Sequence, residues 1–258
     1  MDNNAPNTAV DRRDFIVEYL EEHGETRIDQ LSELCEVSEI TLRRDLEILE
    51  SQNRIRRVRG GAAPALANPL EEMFHEKLSL NTREKREIAR TAAALVQDSQ
   101  VVILSAGTTT TYIARELIKK QNITIVTSAI NIAAEVAPYS HITLVMIGGI
   151  VRSGSYAAVG HLADDALDNI NADIAFVGVD GVDTESGFTT PNFMEARTDT
   201  MMLKSATTGY IVADDSKFGK VKIARVARLD EPSGLIVNRS ASDDFISELE
   251  MRNCRVIR

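Results

Sequence analysis

Residues 38–46 of the chain read Ser-Glu-Ile-Thr-Leu-Arg-Arg-Asp-Leu. Ser38 suits the N-cap of a helix, and leucines at helical spacing would form its buried seam: Leu42, Leu46 and Leu49. The polar side chains left on the other face are Thr41, Arg43 and Arg44. A helix that carries such donors in its first turns is typical of a reader of the DNA major groove.

The residues before this helix predict a partner for it. An apolar stripe predicts a helix over 11–22, which Gly24 ends. Thr26 and Asp29 have the spacing of a capping box and predict the start of a second, short helix, with a turn at Glu36-Val37. The pattern is that of a helix-turn-helix.

The arginines of the third helix allow two interpretations. A guanidinium can grip guanine O6 and N7, whereas Ser38 and Thr41 suit phosphates or a thymine methyl. Alternatively the helix is simply solvated, with Arg43 paired to Glu47 four residues on, or Arg44 paired to Glu47 three residues on.

A basic stretch follows the third helix. Residues 54–59 alternate roughly like a strand, contain no acid and end at Gly60-Gly61. Directly after a helix-turn-helix, this pattern predicts the β-ribbon wing of a winged helix, with guanidinium groups along DNA phosphates from Arg54, Arg56, Arg57 and Arg59. A solvated edge strand is the alternative.

Charge is unevenly distributed along the 258 residues. The chain has a formal charge of −10, yet residues 41–62 contain six arginines against three acids. A local basic face can attract DNA while distant acids are screened over about 8 Å. A patch with so few positive charges should bind DNA weakly as a single copy. We therefore expect a homodimer or homotetramer that binds repeated half-sites.

Other classes of site lack their signals. Cys35 and Cys254 have no CxxC partner and the four histidines are scattered, so we expect neither a metal site nor a cofactor. The N-terminus lacks a signal-peptide pattern and no apolar run reaches membrane-spanning length, so we expect a cytoplasmic protein without membrane contact.

The remainder of the chain alternates short apolar strands with helices, which predicts a mostly parallel sheet covered on both faces. Small residues between Pro64 and Pro69 indicate a linker. We therefore divide the chain into a winged helix-turn-helix domain (1–62), a linker with a connecting helix (63–83) and an α/β domain (84–258).

The first candidate for a ligand-binding segment in the second domain is residues 105–111, Ser-Ala-Gly-Thr-Thr-Thr-Thr, which lie between a predicted strand and a predicted helix. Gly107 allows close approach of a ligand, and a helix N-terminus favours an anion. The segment is equally a Thr-rich N-cap without a ligand.

Three further clusters fall near strand ends, where ligands of open sheets bind. Asp-Gly and Phe-Gly pairs such as theirs are also common in turns. They are Gly148-Gly149 with Arg152, Asp180-Gly181 and Asp214–Gly219. Glu195 fits either a helix N-terminal acid or a ligand-facing carboxylate.

The chain resembles the DeoR/GlpR family of bacterial sugar-metabolism repressors. The resemblance is carried by Arg12, Ile16 and Leu20 at four-residue steps, then by Ser38 and residues 41–46 in one block. It implies that the first domain binds operator DNA through Ser38, Thr41, Arg43, Arg44 and the wing arginines. We expect Asp45 to be structural, because phosphates would repel a carboxylate aimed at them.

The clusters of the second domain occur in the order found in the same family. The resemblance implies a fold similar to ribose-5-phosphate isomerase and a phosphorylated sugar or polyol as inducer. It assigns Gly107, Thr108, Thr109 and Thr110 to the phosphate, with Gly149, Arg152, Asp180, Glu195 and Lys217 around the sugar.

Three positions depart from the family pattern. The family usually has an aspartate where Ser105 stands, a basic residue within positions 198–202, and an aspartate where Asn238 stands. The sequence thus predicts an unusual effector or a weakened pocket.

The leading hypothesis is a non-enzymatic, sugar-responsive repressor of a catabolic operon. The alternative is a phosphosugar isomerase in which Asp180, Glu195 and Lys217 transfer protons. A third hypothesis is a DNA-binding scaffold without a ligand.

Overall fold

A computed structural model of the chain describes residues 8–52, 54–58, 60–64, 74 and 77–258. The chain divides into two units, Met1–Glu72 and Met73–Arg258. The linker residues 65–69 and the wing residue Arg59, both singled out in the sequence, lie outside the described residues.

The first unit is a winged helix-turn-helix, as predicted. Its helices are α1 (Ala9–His23), α2 (Ile28–Leu34) and α3 (Glu39–Ser51), and its strands are β1 (Thr26–Arg27), β2 (Ile55–Val58) and β3 (Gly61–Pro64). The strands form one antiparallel sheet in the order β1-β3-β2, so β2 and β3 are the wing. Strand β3 runs two residues past the expected domain boundary at Ala62.

A buried ion pair joins α1 to α3. Asp45, on α3, is 5% exposed, and its carboxylate accepts from Arg12 Nε at 2.8 Å and lies 2.7 Å from Arg12 Nη2. The leucines of the predicted seam are buried beside it with Ile16 and Leu20. Asp45 therefore fixes how α3 is held on α1, which leaves the other face of α3 in solvent.

The capping box predicted at Thr26 and Asp29 is wrong. Helix α2 has Arg27 at its N-cap and no side chain caps it. Thr26 instead lies in β1, where it pairs with Ala62, and its hydroxyl donates to the Gly24 carbonyl at 3.1 Å. Pairing with a strand distant in sequence takes precedence over the local cap.

The second unit is built on a seven-stranded parallel sheet in the order β15-β14-β12-β9-β4-β5-β6. These strands are β4 (Val101–Leu104), β5 (Thr124–Thr127), β6 (Thr143–Met146), β9 (Ala172–Gly178), β12 (Ala206–Val212), β14 (Gly234–Ile236) and β15 (Val256–Ile257). Two apolar cores cover its two faces. The α/β architecture predicted for this part of the chain is confirmed.

Helices and two small antiparallel sheets complete this unit. The helices are α4 (Thr82–Leu95), α5 (Thr108–Leu117), α6 (Ile130–Val136), α7 (His161–Leu167), α8 (Phe193–Lys204) and α9 (Asp243–Glu250). The small sheets contain β7 (Ile150–Arg152) with β8 (Ala157–Val159), and β10 (Gly181–Asp183) with β11 (Gly187–Thr190) and β13 (Ala224–Ala227).

The order of the parallel strands reverses between β4 and β9. From β4 the chain continues through β5 to β6 on one side, whereas β9, β12, β14 and β15 lie on the other. In open α/β sheets a crevice forms beyond the carboxyl ends of the strands at such a point. Residues 105–109 follow β4 there and residues 179–180 follow β9.

Residues 77–81, which we call the strap, precede α4 and are held by a buried amine. Lys85, on α4, is 3% exposed. Its Nζ donates to the carbonyl of Lys77 and to that of Leu80, the latter at 2.6 Å. Asn81 Nδ2 donates to Asp214 at 3.1 Å, which ties the end of the strap to the loop after β12.

The titration of Lys85 provides a test of this anchor. Burial lowers the pKa of the Lys85 ammonium to about 8, although the nearby Asp214 carboxylate opposes the shift. In the unfolded chain that pKa is about 10.4, so between these values the unfolded state binds more protons. The stability of the unaltered chain should therefore rise relative to Lys85→Met as pH increases from about 8 to 10.4, by roughly 3 kcal/mol in total.

Denaturant unfolding at several pH values between 7 and 10.5 measures this difference. Lys119→Met, which removes an exposed amine, is the control and should leave the pH profile of the unaltered chain unchanged. Parallel profiles for the unaltered chain and Lys85→Met would show that the Lys85 pKa is not shifted.

Candidate functional site

The first turn of α3 is held by two of the predicted DNA-contacting side chains. Ser38 Oγ accepts from the backbone N–H of Thr41 at 3.3 Å, and the two hydroxyls lie 3.0 Å apart. Ser38 therefore caps α3, and the Thr41 hydroxyl lies against the cap, which leaves the arginines further along as the donors to consider.

The two arginines of α3 have different surroundings. Arg43 pairs with Glu39 at 3.1 Å, with both side chains about half exposed. It does not pair with Glu47, the partner considered in the sequence. Arg44 is exposed and has no hydrogen-bond or ion-pair partner among the residues described.

The arginines of the wing also differ in whether they pair with an acid. Arg54 pairs with Asp14 at 2.8 Å and Arg57 with Glu47 at 3.4 Å. Arg56 is exposed and, within the described part of the chain, has no partner. Strand β3 lies close against β1, because a Cβ on Gly61 would lie 2.2 Å from the Thr26 carbonyl oxygen.

The second unit holds a cavity of about 100 Å³ at the point where the strand order reverses. A single water needs only about 10–15 Å³ on this measure, so the space suits a small ligand. Several predicted residues line it, namely Gly107, Thr108, Thr109, Asp180, Glu195 and Lys217.

One wall of the cavity is the N-terminus of α5. Gly107, at φ +151°, is the N-cap, and no side chain caps this helix. The N–H groups of the first turn therefore keep the donor capacity that caps remove elsewhere, at the positive end of the helix dipole.

The remaining threonines of this segment are already engaged. Thr110 and Thr111 donate their hydroxyl groups back to the Gly107 carbonyl at 2.9 and 2.7 Å. Thr110 is fully buried and does not line the cavity. Its hydroxyl supports the turn that aims the N–H groups of Thr108 and Thr109.

Asp180 gathers two cations at the cavity. Its Oδ1 lies 3.3 Å from Lys77 Nζ and 3.9 Å from Lys217 Nζ. Its Oδ2 accepts from the Thr190 hydroxyl at 3.4 Å. One carboxylate thus serves two ammonium groups, and all three groups line the cavity together with the α5 N-terminus.

Glu195 lies in the first turn of α8, and two side chains hold it. Arg152 Nε donates to its Oε1 at 2.9 Å, and the Ser155 hydroxyl donates to the same oxygen. Arg152 itself does not line the cavity. Its predicted contact with a ligand is thus replaced by one that orients Glu195.

Gly149 is also outside the cavity lining. A Cβ at this position, where φ is +157°, would lie 2.7 Å from the Val159 carbonyl oxygen. The glycine is required by close approach of β8 rather than by room for a ligand.

The cavity residues missed in the sequence include Phe74, Lys77, Ser128 and Asp199. Asp199 lies four residues after Glu195 on α8, so helical spacing could have found it. Burial and the carboxylates of Glu195 and Asp180 raise its pKa well above the usual range of an aspartate. Phe74 and Lys77 come from before the sheet, where no motif marks them.

Two of the departures from the family pattern have structural explanations. Ser105 is fully buried, and its Oγ accepts from the Gly178 N–H at 3.0 Å, which joins the ends of β4 and β9. Asn238 is buried as well and accepts from the Asp215 N–H at 2.9 Å, which holds the turn that bears Lys217.

Over the described residues, no group of three or more potential metal-ligating acids, histidines or cysteines occurs. Within the same part of the chain, no helix has the length and apolar character to cross a membrane.

Comparison with known protein families gives two matches. Residues 12–65 match the DeoR-like helix-turn-helix domain. Residues 80–239 match the DeoR C-terminal sensor domain. Together they include α3, the wing and all of the cavity lining except Phe74 and Lys77.

Two curated relatives illustrate the similarity. A putative aga operon transcriptional repressor of Escherichia coli O157:H7 is 33% identical over 96% of this chain and 93% of its own length. The glycerol-3-phosphate regulon repressor of Escherichia coli strain K12 is 29% identical over 81% of this chain and 82% of its own. Among solved structures, a D-ribose-5-phosphate isomerase in complex with phospho-erythronic acid has a TM-score of 0.40 and 18% identity, covering 53% of this chain and 54% of that one.

Proposed function

Because this chain belongs to the DeoR family of transcriptional regulators, we propose that it represses a sugar or polyol catabolic operon and leaves its operator when a phosphorylated sugar or polyol binds. The observation that carries this proposal is the presence, in one chain, of exposed arginines on a winged helix and of a cavity walled by two lysines and by a helix N-terminus that no side chain of the described residues caps.

The DNA-binding surface consists of the exposed arginines of α3 and the wing. Arg44 is the side chain best placed to read a base edge, since nothing in the described structure competes for it, and Arg56 is its counterpart for phosphate. Arg43, Arg54 and Arg57 have exposed carboxylate partners, and such pairs are worth only about 0–1 kcal/mol. A phosphate can therefore displace those carboxylates. Ser38 and Thr41 set the position of α3, and Arg59, which lies outside the described residues, stays a prediction from the sequence.

The effector pocket is the cavity of the second unit. The phosphate would lie at the N–H groups of Thr108 and Thr109, with Gly107 allowing its approach. Lys217 supplies charge, and Asp180 and Glu195 accept hydrogen bonds from hydroxyl groups of the carbon chain. The relative from strain K12 is the repressor of a glycerol-3-phosphate regulon, and glycerol 3-phosphate, a phosphorylated polyol, agrees with this ligand class.

We assign the acids of the cavity to binding rather than catalysis. Asp180 and Glu195 are each engaged by a cation, and both line the cavity where hydroxyl groups of a ligand can donate to them. The isomerase hypothesis would be revived by turnover of a sugar phosphate that is lost in Glu195→Gln.

We further propose that the regulator acts as a homo-oligomer in the cytoplasm, where operator DNA is found. One copy offers few phosphate contacts, which limits its affinity for DNA. The second unit also exposes large apolar side chains near its small β7–β8 sheet, namely Ile150, Val151, Leu162 and Phe193. Sedimentation of the purified chain measures its mass, and a monomer that binds its operator at full affinity contradicts this proposal.

Arginine substitutions test the DNA-binding surface. Arg44→Ala should cost about 1–3 kcal/mol of affinity and relax base preference at one position of the operator. Arg56→Ala should weaken all sequences alike and lower the salt slope of log K by about 1. Fluorescence anisotropy with duplexes selected from a random pool measures both effects. Lys119→Ala, in the second unit, removes a charge without touching this surface and is the control.

Thr109→Glu tests the pocket. A carboxylate beside the α5 N-terminus should repel a phosphate, so this variant should lose both the thermal shift with sugar phosphates and the release from DNA. Thr109→Val keeps the backbone N–H and should retain both responses. A chain with Thr109→Glu that still leaves its operator on addition of the same sugar phosphate would place the effector elsewhere.

A further inference from the structure

The cavity includes two side chains that precede the sensor domain. Phe74 and Lys77 line it, yet both lie between the ranges that match the two family domains, 12–65 and 80–239. The first unit ends at Glu72. The residues of the cavity that stand nearest in the chain to the DNA-binding unit are therefore these two.

The backbone of the strap is fixed by hydrogen bonds from side chains outside it. Besides the two carbonyls bound by Lys85, the Leu78 carbonyl accepts from the Tyr112 hydroxyl at 3.3 Å. The Lys77 side chain, by contrast, is 48% exposed, and Asp180 is the only partner of its ammonium that the described structure shows. An exposed pair of this kind is weak and can be exchanged.

Phe74 makes the second contact between this segment and the cavity. It is 5% exposed, and its ring meets that of Tyr156 edge-on with centroids 5.0 Å apart. The residues just before Tyr156, Gly154 and Ser155, line the cavity, and Ser155 donates to Glu195. A ligand that engages Asp180 thus acts on the group that holds Lys77, and one that engages Glu195 acts on the partner of Ser155, the neighbour of Tyr156.

We propose that Lys77 binds the phosphate of the effector and that this contact, made from the segment that joins the two units, couples occupancy of the cavity to operator affinity. This inference rests on the proposed function. Without a ligand, Asp180 shares its charge between Lys77 and Lys217. A phosphate dianion attracts Lys77 more strongly than this shared carboxylate does, and the transfer of Lys77 changes how the strap holds the chain that leads to the DNA-binding unit.

The proposal separates affinity from coupling. The N–H groups of α5 and Lys217 supply most of the affinity, so K77M should still bind the ligand, with a roughly tenfold weaker Kd that corresponds to about one lost charged contact. What K77M loses is the response of the operator complex. The quantity to measure is the ratio of operator Kd with saturating ligand to operator Kd without it.

The experiment uses the full chain and a duplex selected from a random pool. Glycerol 3-phosphate, fructose 1-phosphate and glucose 6-phosphate are the probes, and the one with the largest thermal shift on the unaltered chain is carried forward. The ratio should lie within roughly 5–150-fold for the unaltered chain and within about twofold of unity for K77M, at concentrations that saturate each protein. K217M should need more probe yet reach the full ratio, and R83M, which removes an exposed charge next to the strap, should match the unaltered chain.

Each other result contradicts the inference. A full ratio in K77M at saturation means that Lys77 carries no coupling. Absence of measurable probe binding by K77M at 10-fold the concentration that saturates K217M means that Lys77 holds affinity instead. If no probe alters the operator affinity of the unaltered chain, the proposed function itself fails, whereas a response that K77M keeps in full overturns this inference alone.

Discussion

The buried amine of Lys85 is the interaction on which the arrangement of the cavity depends. It satisfies two strap carbonyls and lies near the Asp214 carboxylate, which also accepts from Asn81. The amine therefore fixes the segment that bears Lys77, and Asn81 ties that segment to the loop that bears Lys217. An uncompensated ammonium at this depth would be costly, so the strap cannot leave without exposing or neutralising it.

Prediction from sequence succeeded where structure is determined locally. The N-cap at Ser38 and the leucine seam of α3 depend on residues within two turns, and both are present. The capping box at Thr26 failed because that residue pairs with Ala62, far along the chain. The parallel sheet was predictable for a different reason, since continuous apolar strands between helices have few other ways to be buried.

The cavity was predictable only in part. Residues that follow strands, such as Gly107 and Asp180, carry a signal because strand ends converge at one edge of a parallel sheet. Thr110 and Gly149 share that signal yet face elsewhere, since the local turn and the approach of β8 decide their orientation. Lys77 has no such signal, because only the folded path of the strap brings it to Asp180.

The uncapped start of α5 has an evolutionary consequence. Main-chain N–H groups are kept through almost any substitution, so a binding element made from them changes little when side chains are replaced. The carboxylates and hydroxyl groups elsewhere in the cavity belong to side chains, so single substitutions can replace them one at a time. A protein built in this way can keep binding one end of a metabolite while proteins that evolve from it differ in the carbon skeleton they accept.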